Sequence, residues 1–105
     1  MSPRPVKHRC IRFTPDAEFF SPIPKRMASG VIELYKDELE ALRLVDYMGL
    51  SQEEAAKRME VSRGTVWRLL DSGRRKVVAM MVEHKELMVR GRGHSSKRLN
   101  TFFIS

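Results

Sequence analysis

Two arginines in the middle of the chain, Arg63 and Arg68, have the clearest potential for chemistry. A guanidinium is a planar fork of N–H donors that matches the edge of a guanine base or the oxygens of a phosphate. Both stand in the run Ser-Arg-Gly-Thr-Val-Trp-Arg of residues 62–68. The sequence therefore predicts a nucleic-acid contact here, and it leaves open whether each arginine contacts a base or a phosphate.

Serines mark the beginnings of two helices around these arginines. Ser51 is followed three residues later by Glu54, the spacing of a capping box, and predicts a helix that ends near Met59. Ser62 predicts the cap of a further helix that starts at Arg63. Together the two helices predict a helix-turn-helix that spans residues 50–70.

The residues between the two helices support the same prediction. A helix-turn-helix needs a small side chain inside its first helix, a tight turn, and apolar side chains on both sides of that turn. Ala56 is the small side chain, Glu60 takes the turn, and Val61 and Val66 pack on either side. In this arrangement the second helix enters the major groove and directs its N-terminal residues to base edges.

Other polar and aromatic side chains extend this candidate site. Hydroxyl and amide side chains suit phosphate oxygens, as do the free N–H groups at a helix start. Trp67 has two interpretations, a contact with a sugar or a thymine methyl group, and burial as a packing residue. The full set predicted to contact DNA is Gln52, Ser62, Arg63, Gly64, Thr65, Trp67, Arg68, Arg74 and Arg75 in the helical body, with Arg4, Lys7 and Arg9 near the N-terminus.

Charge is segregated along the chain. The 105 residues include 20 Lys and Arg against 13 Asp and Glu, a net charge of +7. Residues 1–32 have six basic and two acidic side chains, residues 33–62 have four and eight, residues 63–82 have five and one, and residues 83–105 have five and two. Segregation by element is typical of a protein that turns one face toward phosphates.

Proline content divides the chain into three parts. All five prolines lie within residues 1–30, which predicts an extended basic arm over 1–32 with a short strand at 10–13. The arm either enters the minor groove of DNA or lies as a solvated basic strand. Residues 33–90 predict the helix-turn-helix domain, and residues 91–105 a flexible basic tail. Residues 86–90 predict a strand, with the strand at 10–13 as its expected partner.

The rest of the domain is predicted to be helical. Apolar side chains at helical spacing predict a helix over 36–48 that Gly49 ends. The positive end of that helix explains the acidic side chains of Asp37, Glu38 and Glu40 in its first turns. Gly73 marks either a bend in the third helix or a break before a fourth segment at 74–84, because glycine is about 1 kcal/mol less favourable than alanine inside a helix.

The sequence lacks the residue sets of an enzyme or a metal site. It has no Ser–His–Asp set, Cys–His pair or phosphate-binding loop, so no catalytic residue, cofactor or small-molecule ligand is predicted. The one cysteine, Cys10, and the three histidines lack the spacing of zinc ligands. The longest apolar run, residues 77–82, is far too short for a membrane span. We therefore expect a cytoplasmic protein.

A resemblance to a known family becomes specific at the residues already named. The runs DELEALRLVD at 37–46, GLSQEEAA at 49–56, VSR at 61–63 and RRKV at 74–77, with Thr65, resemble a family of short, uncharacterised bacterial and archaeal proteins, and the likeness extends to 3–5 and 85–89. The resemblance implies DNA binding through a helix-turn-helix like that of sigma-factor region four. This chain departs from the family at Gly64 and Trp67, where glutamines are usual, and at Gly73, where alanine is.

The combined expectation is a mainly α protein whose body of three to four helices holds a helix-turn-helix of winged-helix or sigma region-four type. An extended N-terminal arm and a short β pairing between the termini complete it. The expected partner is double-stranded DNA, and the expected function is transcriptional regulation with residues 63–72 in the major groove. Two alternatives stay open, a non-specific nucleic-acid or nucleoid protein and a helix-turn-helix used as a protein-interaction module. A homodimer is a further expectation, because such units commonly pair on two-fold sites.

Overall fold

The computed structural model describes residues 10–11 and 18–92. These residues form a helix-rich fold that also holds a small three-stranded sheet. In chain order the elements are β1 (Phe19–Phe20), a 3-10 turn (Lys25–Met27), β2 (Val31–Tyr35), α1 (Lys36–Leu42) continued by a π-helical segment (Arg43–Tyr47), α2 (Gln52–Met59), α3 (Arg63–Glu83) and β3 (Glu86–Arg90).

The predicted strand at residues 86–90 is the central strand of the sheet, whose order is β1-β3-β2. β3 pairs antiparallel with β1, where Phe19 lies opposite Met88. It pairs parallel with β2, where Leu34 lies opposite Val89. A parallel pair needs a long crossover connection, and the three helices supply it here.

The prediction that this strand pairs with residues 10–13 is wrong. The partners of β3 are β1 and β2, and Cys10 and Ile11 belong to no strand. Cys10 instead donates its backbone N–H to the carbonyl oxygen of Met59, 2.9 Å away at the end of α2. Residues 12 and 13 lie outside the described residues.

Helix α1 begins where β2 ends, with no residue between them. The backbone N–H of Tyr35 donates to Oε1 of Glu38 at 2.9 Å, which satisfies one of the N–H groups near the start of the helix. The helical path continues to Tyr47, and Gly49 then takes a φ of +80° that glycine adopts without strain. The helix predicted over 36–48, with a glycine at its end, is confirmed to within one residue.

Helices α2 and α3 flank a connection of three residues, 60–62. Oγ of Ser51 accepts a hydrogen bond from the N–H of Glu54 at 3.0 Å, and Oγ of Ser62 accepts one from the N–H of Thr65 at 3.1 Å. Both predicted N-cap serines are therefore confirmed. Glu60 has a φ of 59° and a ψ of 45°, the left-handed conformation expected for the turn, which costs a non-glycine residue about 1 kcal/mol.

Helix α3 runs unbroken through Gly73, so the alternative of a break before a fourth segment at 74–84 is wrong. Gly73 is buried against α1. A Cβ atom built at this position would lie 3.1 Å from Cδ1 of Leu42 and 3.4 Å from Cβ of Glu38. The absence of a side chain at Gly73 therefore allows α3 to pack closely against α1.

Two apolar clusters form the core, and α1 joins them. Leu42 packs at the edge of both clusters and so connects the helical layer to the sheet. The helical cluster comprises Ala41, Leu44, Ala55, Ala56, Met59, Val66, Leu69 and Leu70. The sheet cluster comprises Leu34, Leu87 and Val89.

A buried carboxylate on α1 ties that helix to α3. Glu38 is 2% exposed, and its side chain accepts hydrogen bonds from Nζ of Lys76 at 2.8 Å, from the hydroxyl of Ser72, and from the backbone N–H of Tyr35. A buried carboxylate is stable only when such partners replace its lost water. The helix dipole alone therefore does not account for this residue.

The two neighbouring acidic side chains on α1 are also buried and paired. Asp37 accepts two hydrogen bonds from Arg92, at 2.7 and 2.8 Å. Because Arg92 lies two residues after β3, these bonds join the residues after that strand to α1. Glu40 accepts two from Arg43, both at 3.0 Å. Hydrogen bonds to Glu40 raise the pKa of Arg43, and hydrogen bonds to Asp37 raise that of Arg92. The acidic start of α1 is thus neutralised within the fold.

The two glycines of α3 should respond oppositely to alanine. Gly64→Ala is expected to raise the free energy of unfolding by about 0.5 kcal/mol, because no neighbour lies within 3.9 Å of the new Cβ and alanine favours a helix. In Gly73→Ala the new Cβ lies 3.1 Å from Leu42, and we expect the free energy of unfolding to fall by about 1 kcal/mol. Urea unfolding followed by circular dichroism measures both. A stabilising Gly73→Ala would contradict the packing described here.

Removing the charge of Glu38 should weaken the whole fold. Glu38→Gln leaves the ammonium of Lys76 without its carboxylate, and we expect the free energy of unfolding to fall by about 2–4 kcal/mol. Glu53→Gln, an exposed change of the same kind on α2, serves as control and should stay within about 0.5 kcal/mol of the original. Adding Lys76→Met to Glu38→Gln should recover part of the loss, since no unpaired ammonium remains. Equal stability of the Glu38 and Glu53 variants would refute this account.

Candidate nucleic-acid interface

Four residues form the exposed face of the first half of α3: Arg63, Gly64, Trp67 and Arg68. Their spacing of one, three and one residues places them on one side of a helix that turns about 100° per residue. Val66, on the opposite side, is fully buried. The structure therefore brings the central part of the predicted site together on one surface.

Hydrogen bonds at the start of α3 organise part of this surface. The hydroxyl oxygens of Ser62 and Thr65 lie 3.0 Å apart, and Nη2 of Arg68 donates to Oγ1 of Thr65 at 3.4 Å. In the described parts of the chain, no carboxylate forms a salt bridge with Arg63 or Arg68. Both guanidiniums are exposed, so most of their N–H donors face solvent.

The indole of Trp67 is 56% exposed. The interpretation of Trp67 as a buried packing residue is therefore wrong, and the ring stands between the two arginines on the face of α3. An exposed tryptophan offers a large, flat apolar surface with one N–H donor. Gly64, three residues earlier, is exposed and has no side chain to cover the helix backbone.

Gln52 lies at the first position of α2 and is half-buried. The exposed carboxylates of Glu53 and Glu54 follow it and complement the positive end of the helix. This negative charge opposes the approach of a phosphate. Gln52 thus offers one amide to a polyanion, while α3 offers two cations.

Arg74 and Arg75 have different environments although they are neighbours. Arg74 donates two hydrogen bonds to Asp46, from Nε at 3.0 Å and from Nη2 at 2.8 Å, and so joins α3 to the π-helical segment. These hydrogen bonds hold the pKa of Asp46 below its ordinary value. Arg75 is largely exposed and lies 3.6 Å from Asp71 on its own helix. Arg75 is therefore the more available of the two for a ligand.

A polar pocket of about 410 Å³ opens beside Arg68. On its wall two cations contact the ring of Tyr35, with Nζ of Lys76 4.5 Å and Cζ of Arg92 4.2 Å from the ring centroid. No local pattern in the sequence points to this cluster, since its members come from β2, α3 and the residues after β3. The nearby carboxylate of Glu38 offsets part of the positive charge.

The remaining predicted contacts lie where the structure gives no description. Arg4, Lys7 and Arg9 fall outside the described residues, as does the predicted tail from residue 93 onward. Within residues 10–11 and 18–92, no three His, Cys, Asp or Glu side chains come together as a metal site. No helix in the same residues is long and apolar enough to cross a membrane.

Comparison with known proteins identifies relatives along almost the whole chain. The family described as "Protein of unknown function DUF134" matches residues 1–97. A UPF0251 protein of Pyrococcus furiosus is 52% identical over 91 residues, which cover 84% of this chain and 83% of the relative. A UPF0251 protein of Thermococcus kodakarensis is 49% identical over 92 residues, covering 86% and 81%. One of Caldanaerobacter subterraneus is 42% identical and covers 91% of each chain. No solved structure matches the chain.

The pair formed by Asp46 and Arg74 predicts a pH-dependent contribution to stability. Because the folded state lowers the pKa of Asp46 from 3.8, the contribution is complete above that value and disappears as pH falls through the lower folded pKa. Asp46→Asn should lower the free energy of unfolding at pH 7 by about 0.2–1 kcal/mol, since both side chains are over 40% exposed. Urea unfolding of both proteins between pH 7 and pH 2 measures the difference. A difference that does not shrink at acidic pH would contradict this assignment.

Proposed function

Because the chain belongs to the DUF134 family, whose description assigns no function, we propose one from the chain's own surface: it binds double-stranded DNA by placing the first half of α3 in the major groove. One observation carries the proposal. Arg63, Gly64, Trp67 and Arg68 form an exposed face at the capped N-terminus of α3. Positive charge, a helix start and an accessible backbone are the features that a DNA-reading helix requires.

The packing of α2 against α3 supports a helix-turn-helix. Ala55 and Ala56 are buried on α2, so the two helices can approach closely. Val66 is buried on the inner side of α3, and Glu60 provides the left-handed residue of the three-residue turn. In proteins of this type the first helix crosses the DNA backbone while the second lies in the groove. The resemblance to sigma-factor region four implies the same assignment.

Each residue of the exposed face has a definite role in this proposal. Arg63 and Arg68 each donate two hydrogen bonds to a guanine or bind a phosphate. Gly64 lets the helix backbone come close to the DNA because it has no side chain. Trp67 packs its ring against a sugar or a thymine methyl group.

Phosphate contacts position the helix in the groove. Thr65 and Gln52 lie at the starts of α3 and α2, where hydroxyl, amide and backbone N–H groups meet phosphate oxygens. Arg75 lies about two turns beyond Arg68 and is left outside the proposed DNA contact. Arg74 donates its hydrogen bonds to Asp46 and so supports DNA binding indirectly, by fixing α3 against the π-helical segment.

We assign this DNA binding to transcriptional regulation in the cytoplasm. A second candidate is non-specific binding to nucleic acid, as by a nucleoid protein. Gly64 favours it, because a glycine at the centre of the reading face removes one side chain that could distinguish bases. The two functions differ in the ratio of specific to random affinity.

Selection of bound duplexes from a random pool at physiological salt separates these functions. Enrichment of one sequence indicates a regulator, and uniform binding with a steep dependence on salt indicates the non-specific function.

Removing either guanidinium should weaken binding to the selected duplex. Arg63→Ala and Arg68→Ala should each lower affinity by about 1–3 kcal/mol if the side chain reads a base, with little change for random duplexes. A phosphate contact would instead weaken all duplexes alike and reduce the salt slope by about one. Fluorescence anisotropy measures both quantities.

Arg26→Ala is the matched control. Arg26 is exposed and lies near Ser29, whose N–H donates to the carbonyl of His84 at the far end of α3. It therefore stands about 30 Å of helix away from Arg63, and its loss should leave affinity unchanged within error. Unchanged affinity in the double variant Arg63→Ala with Arg68→Ala would refute the proposed interface.

A further inference from the structure

The second half of α3 exposes an apolar stripe on its surface, formed by Val78, Met81 and Val82. These side chains are 52%, 62% and 69% exposed. A single exposed apolar residue needs no explanation, but three adjacent ones on one helix mark an interaction surface. No part of the chain described by the structure covers them.

An apolar groove continues this stripe toward α1. It has a volume of about 700 Å³ and lies between α3 and the end of the α1 helix. Leu39, Leu42, Tyr47 and Val77 line it, and it reaches the stripe at Val78. Side chains that project from another helix would fit into a depression of this kind.

The spacing along the stripe is that of a helix–helix seam. Arg75, Val78 and Val82 are separated by three and four residues, the alternation with which one helix packs along another. The stripe is also flanked by opposite charges, with Arg75 before it and Glu83 after it. Both are exposed.

We propose that a second copy of this chain covers the stripe, with the two α3 helices antiparallel about a two-fold axis. In this arrangement Val78 packs against the partner's Val82, and Arg75 lies near the partner's Glu83. A two-fold axis forms each contact twice, so a stripe with a cation at one end and an acid at the other is complementary to itself. A parallel arrangement would instead place the two Arg75 side chains together.

The mass of the protein in solution without DNA tests the dimer directly. Sedimentation equilibrium should give twice the 12.2 kDa of one chain. Val78→Lys should raise the dimer dissociation constant at least about tenfold, because each copy then brings an ammonium into an apolar contact. Ile11→Lys is the matched control, since Ile11 is 37% exposed and follows Cys10, whose N–H donates to the carbonyl of Met59 close to the opposite end of α3. Circular dichroism confirms that both variants are folded.

A charge exchange tests the antiparallel arrangement. Arg75→Glu and Glu83→Arg should each weaken the dimer about tenfold, because each places like charges together at two symmetric positions. The double variant should recover most of the original affinity. A monomeric mass for the unaltered protein, an assembly other than a dimer, no effect of Val78→Lys, or a double variant weaker than both single variants would each overturn the proposal. None of these outcomes depends on DNA binding, which the anisotropy experiment tests separately.

Discussion

The carboxylate of Glu38 holds the helical layer and the sheet in one orientation. Its partners come from the junction of β2 and α1, at Tyr35, and from α3, at Ser72 and Lys76. The neighbouring Asp37 extends the same network to Arg92. Because a buried carboxylate tolerates the loss of few partners, α3 has little freedom to shift against α1. The buried charge therefore also fixes the direction in which the exposed face at the start of α3 points.

Local signals made much of the helical body predictable from the sequence. The caps at Ser51 and Ser62, the left-handed Glu60 and the glycine that follows the first helix each depend on residues within four positions of one another. Such patterns are visible in a linear sequence because the interacting groups are close along it. The same locality made the surface containing Arg63 and Arg68 predictable, since a capped helix fixes which side chains share a face.

Long-range pairing was not predictable in the same way. β2 joins β3 across more than fifty residues, and no local pattern indicates which short strands will meet. The pairing of the buried Glu38 and the contacts of Lys76 and Arg92 with the ring of Tyr35 also depend on residues far apart in sequence. One signal was present, because Ser72 and Lys76 stand four apart near the buried side of α3, where polar residues require a partner. Gly73 was misinterpreted because propensity describes a helix alone, whereas its neighbour Leu42 decides what fits.

The unbroken path of α3 through Gly73 sets a rotational phase between its two exposed surfaces. Each residue inserted or deleted near Gly73 would rotate the exposed face at the start of α3 by about 100° around the helix axis relative to the apolar stripe. It would also shift that face by about 1.5 Å along the axis. Only changes close to whole turns, such as seven or eleven residues, would restore the phase, and these would still displace Lys76 from Glu38. The length of α3 is therefore constrained independently of which side chains occupy its exposed positions.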